Sequence, residues 1–240
     1  MHPTCCVRAG ESNYAPIPGL STARHTAASQ HKILPRQALA PCATTIKVCF
    51  EYAKQFFKHA QLVPYPTKYS THDATVSRAT ACTQLQLNPD KKTIVILGGS
   101  QGSISLNNYI KQWIMDASCP HDKINIIHQT GSTDATDWKA LYAQHAIAAY
   151  VFSYQSDLAS VYAAADLIIC RAGAGTLFEI AFFNKKAIII PLKTKTTTHQ
   201  QDNAHAISQE RPDLFTCIDQ DDIEEDPQLL FTRIKHFIKA

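Results

Sequence analysis

The stretch TIVILGGSQG, residues 93–102, joins a short branched apolar run to a glycine-rich loop. An unbroken apolar run of this length is typical of a strand that is buried on both faces. Gly98, Gly99 and Gly102 then allow a tight turn, and the segment that begins at Ser103 has helical spacing. A strand, a glycine turn and a helix in this order indicate the first unit of a parallel α/β domain.

The same alternation continues towards the end of the chain. The branched runs that we predict as strands are Thr93–Leu97, Ile124–His128, Ala149–Phe152, Leu167–Cys170, Ala187–Pro191 and Leu214–Ile218. Between them, apolar residues recur at helical spacing, as at 106–114 and 177–181. Apolar strands that alternate with helices predict a parallel sheet covered on both faces, which is a doubly wound, Rossmann-like α/β domain.

The pattern is weaker before the turn sequence NPDKK at 88–92. Residues 1–45 are polar and are interrupted by prolines, which break long elements. The elements predicted next are a strand at 45–50, a short helix at 51–57, a strand at 61–63 and a linker from 69 to 90. We therefore divide the chain into a less regular part, 1–90, and a Rossmann-like domain, 91–240.

Composition excludes several classes of protein. Of the 240 residues, 45% are hydrophobic and 18% are charged, which is typical of a globular domain. A net charge of +3 does not by itself indicate a nucleic-acid partner. The apolar runs are too short to span a bilayer, and we expect a cytoplasmic protein whose eight cysteines are reduced. Because neither CxxC nor HExxH occurs, the sequence predicts no metal site.

Two small-residue loops follow predicted strands, where ligands of such sheets bind. The loop at 98–102 opens a helix whose N-terminal N–H groups suit a phosphate, although a tight turn without a ligand has the same sequence. In the second loop, CRAGAGTLFE at 170–179, Glu179 would accept both hydroxyls of a ribose. The alternative is that Thr176 and Glu179 form a capping box, which needs no ligand. Together the two loops suit a nucleotide diphosphate.

Two polar segments are more ambiguous. HQQDNA at 199–204 offers amides that suit sugar hydroxyls, or it is a solvated helix start. Asp219-Gln220-Asp221 is formally the DxD metal motif of nucleotide-sugar enzymes. We interpret it as a solvated loop and as negative charge at a helix N-terminus.

Taken in order, four motifs resemble the C-terminal half of the MurG family of bacterial N-acetylglucosaminyltransferases. They are ILGGSQG (96–102), HQTG (128–131), AAADLIICRAGAGTLFEIA (163–181) and HQQDNA (199–204). The resemblance implies a two-domain GT-B enzyme without metal or cofactor, on the cytoplasmic face of the membrane. It would transfer N-acetylglucosamine from UDP-N-acetylglucosamine to a lipid-linked muramoyl-pentapeptide, converting lipid I to lipid II.

The resemblance also assigns contacts with the donor. The residues concerned are Asn13, Lys68, Ser100, Gln101, Gln155, Ala174, Gly175, Thr176, Glu179, His199 and Gln200. Asn13 and the 174–176 segment would contact the sugar, and Ser100 the diphosphate. The backbone of Gln155 would hold uracil, Glu179 the ribose, and Gln200, helped by His199, the sugar hydroxyls.

The sequence also departs from the family. The first 90 residues match only loosely, through Glu11–Asn13, Leu39–Phe50 and Tyr65–Lys68, and the family's GGTGGH segment is absent. The resemblance places the general base and most acceptor contacts in that region. We therefore expect an N-terminally truncated member of the family whose catalytic residue is unknown. We also expect that this chain alone does not transfer the sugar. The alternatives are a partner-dependent UDP-sugar-binding module, as in a split transferase, and a nucleotide-sugar 2-epimerase.

Overall fold

The structure is a computed structural model, and it describes residues 46–57, 59–99, 101–193 and 199–239. Two of the residues expected to bind the donor, Asn13 and Ser100, lie outside the described residues, as do the segments around 11–20 and 39–45.

Strands alternate with helices along the described chain. The strands are β1 (Ile46–Val48), β2 (Ala60–Leu62), β3 (Lys92–Leu97), β4 (Ile124–Gln129), β5 (Ala148–Phe152), β6 (Leu167–Cys170), β7 (Ala187–Ile189) and β8 (Phe215–Cys217). The α-helices are α1 (Arg78–Gln84), α2 (Ile104–Met115), α3 (Trp138–Gln144), α4 (Ala159–Ala164), α5 (Ala174–Phe182), α6 (His199–Glu210), α7 (Gln220–Glu225) and α8 (Gln228–Lys239). Short 3-10 turns lie at Glu51–Phe56, Asp73–Thr75 and His121–Lys123.

The main sheet confirms the predicted fold class. Six parallel strands lie in the order β5-β4-β3-β6-β7-β8, the arrangement of a doubly wound Rossmann-like sheet. All six predicted runs are strands, although β7 ends at Ile189 rather than at Pro191. The chain leaves β3 towards one edge of the sheet and returns at β6 towards the other. The strand order therefore reverses between β3 and β6.

Branched side chains fill the sheet because both of its faces are covered. Alternate β3 residues face opposite cores: Val95 and Leu97 belong to one apolar cluster, and Ile94 and Ile96 to the other. The predicted apolar face of α2 is buried, and Trp113 on it is 1% exposed. Two covered faces explain why these strands have no polar alternation.

The segment before the main sheet is packed against it. β1 pairs in parallel with β2, and Val48 and Phe50 are buried in the same cluster as Val95. The linker predicted for 69–90 is wrong, because α1 lies there and buries Ala81 and Cys82 completely. The α1 helix forms because the Ser77 side chain caps it, accepting from the Thr80 N–H.

Of the cysteines in the described segments, Cys82, Cys119 and Cys170 are buried thiols. No helix in the described segments combines the length and the apolar character needed to cross a membrane.

Candidate functional site: the carboxyl edge between β3 and β6

Three neighbouring strands end at the same level. In the sheet register Leu97, the last residue of β3, stands opposite Gln129 of β4 and Cys170 of β6. The loops at 98–102, 130–131 and 171–173 therefore leave one edge of the sheet side by side. This edge is the point where the strand order reverses, which is where doubly wound sheets bind ligands.

The backbones of the 98–102 and 130–131 loops are in close contact. Gly102 has φ +80° and Gly131 has φ +78°, both in the left-handed region. A Cβ atom on Gly131 would lie 2.4 Å from the Gly102 Cα, and one on Gly102 would lie 2.5 Å from the Thr130 oxygen. Only glycine fits at this crossing, which fixes the height of the 98–102 loop above the sheet.

A buried polar network supports the crossing from below. His128 is fully buried, with Nδ1 2.8 Å from the Tyr142 hydroxyl and Nε2 3.1 Å from Asn107 Oδ1. Asn107 Nδ2 donates to the Thr130 oxygen at 3.0 Å and to Asp134 at 2.6 Å, so its Oδ1 is the acceptor of the histidine N–H. Burial lowers the pKa of His128 and keeps the ring neutral, so Nδ1 accepts from the Tyr142 hydroxyl while the Nε2 N–H orients the asparagine that holds the loop.

This network predicts a dependence of stability on pH. Burial lowers the pKa of His128 from 6.5 to about 3, and the Asp134 charge offsets part of that effect. Because the folded-state pKa is depressed, the stability is complete above pH 6.5 and is lost as the pH falls towards 3. Between pH 7.5 and pH 5, protonation of His128 in the unfolded chain should lower the free energy of unfolding by about 2 kcal/mol.

Urea unfolding of the parent and of His128→Gln at both pH values measures this loss. We expect the variant to be less stable at pH 7.5 but to lose about 2 kcal/mol less than the parent on acidification. His236→Gln is the control, because His236 is exposed on α8. Equal losses in the parent and in His128→Gln would contradict the assignment.

Arg171 ties the loop after β6 to its neighbours. It is 5% exposed, and it donates to Ser103 Oγ at 3.0 Å, to the Ile190 oxygen at 3.0 Å and to Gln220 Oε1 at 3.1 Å, as well as to Ser105. Its burial lowers its pKa, although an arginine keeps its charge. The side chain therefore joins the start of α2, the end of β7 and the start of α7 into one rigid base.

The first turns of α6 form hydrogen bonds to the loop after β6 from the other side. Gln200 Oε1 accepts from the Ala172 N–H at 3.2 Å and from the Leu192 N–H at 3.0 Å. Asn203 donates to the Ala172 oxygen at 3.1 Å and accepts from the Tyr52 hydroxyl at 2.7 Å. The HQQDNA segment thus begins a helix, as predicted, but much of its polarity is directed at backbone. The side-chain oxygen of Gln200 is used in this way.

The helix after β6 starts earlier than a capping box requires. Gly173 is the N-cap of α5, and in the described chain no side chain caps this end. Thr176 and Glu179 both lie inside the helix, so the capping-box alternative is wrong. Ala174, Gly175 and Thr176 form the first turn of α5, and their N–H groups have no partner within the helix. An end of this kind suits a diphosphate or a sugar oxygen.

Glu179 points to a tyrosine rather than to the helix end. Its Oε2 accepts from the Tyr162 hydroxyl at 2.8 Å. Burial raises the pKa of Glu179, while that hydrogen bond and the positive charge of Lys68 lower it in part. Lys68 donates to the Ser156 oxygen and lies 5.0 Å from the centre of the Tyr69 ring. Glu179 and Lys68, both expected at the donor site, are thus electrostatic neighbours.

An aromatic side chain covers the first turn of α5. Tyr65 stacks on Phe178, with centroids 4.9 Å apart and planes 8° apart. Its hydroxyl lies 3.2 Å from the position of a Cβ on Gly175. The ring of Tyr65 therefore borders the first turn of α5, where the sugar contacts of Ala174 to Thr176 are predicted.

The other expected contacts lie at the ends of further elements. Gln101 is exposed in the turn after β3, and Gln155 follows β5, where its Oε1 accepts from the Tyr150 hydroxyl at 3.2 Å. His199 opens α6, and burial lowers its pKa.

Sequence reasoning missed Arg171, Tyr162 and Asn203, although each belongs to a quoted motif or borders one. The available sequence signal for Arg171 was its position as a lone arginine between an apolar strand and a glycine loop. No pattern in the sequence marked the partnership of Tyr162 with Glu179.

Comparison with known proteins agrees with this geometry. The profile of the glycosyltransferase family 28 C-terminal domain matches residues 93–239. Two similar proteins are named UDP-N-acetylglucosamine--N-acetylmuramyl-(pentapeptide) pyrophosphoryl-undecaprenol N-acetylglucosamine transferase. The protein from Prosthecochloris aestuarii is 34% identical over 70% of this chain and 45% of its own length. The protein from Myxococcus xanthus is 30% identical over 76% of this chain and 47% of its own.

Two solved structures are similar to the chain. MurG from Acinetobacter baumannii superposes with a TM-score of 0.60 and 26% identity, covering 84% of this chain and 55% of that one. WaaG, a glycosyltransferase of lipopolysaccharide biosynthesis, gives 0.54 at 14% identity over 81% of this chain and 53% of its own, which shows the fold alone. The chain therefore spans about half the length of these relatives. With its strand order, its paired glycine loops and this match over 93–239, the chain belongs to the glycosyltransferase family 28 C-terminal domain family.

Proposed function

We propose that residues 91–240 are the donor-binding domain of an N-acetylglucosaminyltransferase that uses UDP-N-acetylglucosamine, with 1–90 as the remnant of its acceptor side. The acceptor is the lipid-linked muramoyl-pentapeptide, and the product is lipid II. The observation that carries the proposal is that the 98–102 loop and the first turn of α5 follow neighbouring strands at the reversal point of the sheet, with Glu179 in the next turn of α5. The names of the relatives support the donor and the acceptor.

Each part of the edge has a role in this proposal. The N–H groups of the 98–102 loop and of the first turn of α5 hold the diphosphate, since their partial positive charge favours an anion. Glu179 accepts the ribose hydroxyls, and the backbone at Gln155 reads uracil. Gln200 and His199 contact the sugar from the start of α6.

The proposed reaction is a single displacement with inversion. The acceptor 4-hydroxyl oxygen forms a bond to C1 of N-acetylglucosamine, while the bond from C1 to the diphosphate breaks and its electron pair leaves with UDP. The proton of the acceptor hydroxyl passes to a base. No described residue is assigned that role. The fixed N–H groups stabilise charge that grows on the departing diphosphate, which is the usual form of electrostatic catalysis. The proposed place of action is the cytoplasmic face of the cell membrane.

Binding calorimetry tests the donor class. The folded chain should bind UDP and UDP-N-acetylglucosamine and should bind ADP-glucose at least about tenfold more weakly, a difference of about 1.4 kcal/mol. ADP-glucose is the matched control because it has the same diphosphate and ribose with a different base and sugar. Absence of heat with both uridine ligands, from protein whose circular dichroism shows the folded state, would reject the proposal.

A further inference from the structure

Three side chains of metal-binding type meet between α6 and β8. The potential ligand atoms of His205, Cys217 and Asp219 all lie within 4.8 Å of one another. Cys217 and Asp219 are two residues apart in extended chain, so they point to the same face, and α6 packs on β8 there. His205 comes from the second turn of that helix.

One oxygen of the Asp219 carboxylate has no hydrogen-bond partner among the described residues. Asp219 occupies the N-cap of α7, where an aspartate normally accepts a backbone N–H, yet its side chain makes no capping bond. Its Oδ1 is buried and has no hydrogen-bond partner among the described residues. A buried carboxylate oxygen without a donor is unfavourable unless a cation or a water is bound to it.

We propose that His205, Cys217 and Asp219 bind a zinc ion, with water as the fourth ligand. Thiolate, imidazole and carboxylate are the donors that zinc takes, whereas magnesium and calcium prefer oxygen alone. Ligand atoms around tetrahedral zinc lie about 3.5 Å apart, so a small side-chain movement closes the observed triangle. Burial and the nearby carboxylates of Asp219 and Asp222 raise the pKa of the Cys217 thiol, and the zinc ion displaces its proton on binding.

The ion acts on structure rather than on the transferred sugar. It joins α6 to the end of β8, and the first turn of α6 holds the loop after β6 through Gln200. Zinc should therefore raise the melting temperature of the chain. The site depends on residues that the proposed donor contacts do not include, so its failure would leave the proposed function standing.

Cobalt substitution tests the site directly. All variants are made in a chain in which Cys5, Cys6 and Cys42 are replaced by serine, which removes thiols from outside the described residues. The metal-free parent, kept reduced with a phosphine, is titrated with Co²⁺. We expect the absorption bands of tetrahedral cobalt and a cobalt–thiolate charge-transfer band that saturate at one equivalent and are displaced by Zn²⁺.

Cys217→Ser should abolish the charge-transfer band, and His205→Ala and Asp219→Asn should each weaken binding at least about tenfold. His236→Ala, a change of an exposed histidine on another helix, should bind as the parent does. Circular dichroism and the melting temperature without metal show whether each variant is folded, and Zn²⁺ should raise the melting temperature of the parent but not of Cys217→Ser. A parent without tetrahedral bands, or a Cys217→Ser spectrum equal to that of the parent, would overturn the proposal.

Discussion

Replacing Gly131 by alanine should lower the free energy of unfolding by about 3–5 kcal/mol, because strain and overlap act together. The residue has φ +78°, which disfavours any L side chain. The added Cβ would lie 2.4 Å from the Gly102 Cα and 2.5 Å from the Gln101 oxygen. Both neighbours are backbone atoms, so a rotamer change cannot relieve the contact.

Gly99→Ala is the matched control. Gly99 also has positive φ, +88°, but a Cβ there would meet nothing within 4 Å. Only the conformational strain should remain, about 1–2 kcal/mol. Urea unfolding measures both variants, and UDP binding by the folded fraction shows whether the 98–102 loop has moved. Equal destabilisation by the two substitutions would show that the loops do not cross as described.

The strands of the main sheet could be predicted because a strand buried on both faces appears in the sequence as a continuous run of branched apolar residues. Val95 and Ile96 face opposite cores, so neither position tolerates a polar residue, and the run is visible without a structure. The carboxyl edge could be predicted for the same reason. In a parallel sheet the carboxyl ends of all strands lie at the same edge. The loops that follow these strands are therefore neighbours even when they are distant in sequence.

The α1 helix could not be predicted from its apolar pattern. It buries Ala81 and Cys82, whose small side chains make no stripe among threonines and serines. Its stability comes from the Ser77 cap and from Arg78, which bonds Asp166 at 2.8 Å across 88 positions of sequence. A contact at that separation leaves no local signal.

Arg171 shows the same limit at the site. A charged residue beside a glycine loop is usually read as solvated, yet this one is 5% exposed. Burial is tolerated because acceptors from α2, β7 and α7 converge on the guanidinium. The helix start at Gly173 was equally hidden, since the sequence allows both an early start and a capping box at Thr176.

The carboxylate of Glu179 gives the sharpest test of the donor site. If it accepts the ribose hydroxyls, Glu179→Ala should weaken UDP binding by about 1.5–3 kcal/mol, or roughly 10- to 150-fold, the range for hydrogen bonds to a charged group. Glu225→Ala is the control, because Glu225 is an exposed glutamate at the end of α7. It should leave UDP binding unchanged.

Stability should respond differently from binding. Burial raises the pKa of Glu179, so folding disfavours its charged form, and removing the carboxylate at neutral pH relieves that penalty. The substitution also removes the carboxylate that accepts from the buried Tyr162 hydroxyl, a bond to a charged group worth about 1.5–3 kcal/mol, and it places alanine, the best helix former, inside α5. These effects oppose one another, so the free energy of unfolding should fall by no more than about 2 kcal/mol while UDP binding falls. A large loss of UDP binding with a small change in the free energy of unfolding is the expected result for a residue that binds the ligand. A variant that unfolds more easily but binds UDP as tightly as the parent would show that Glu179 serves the fold instead.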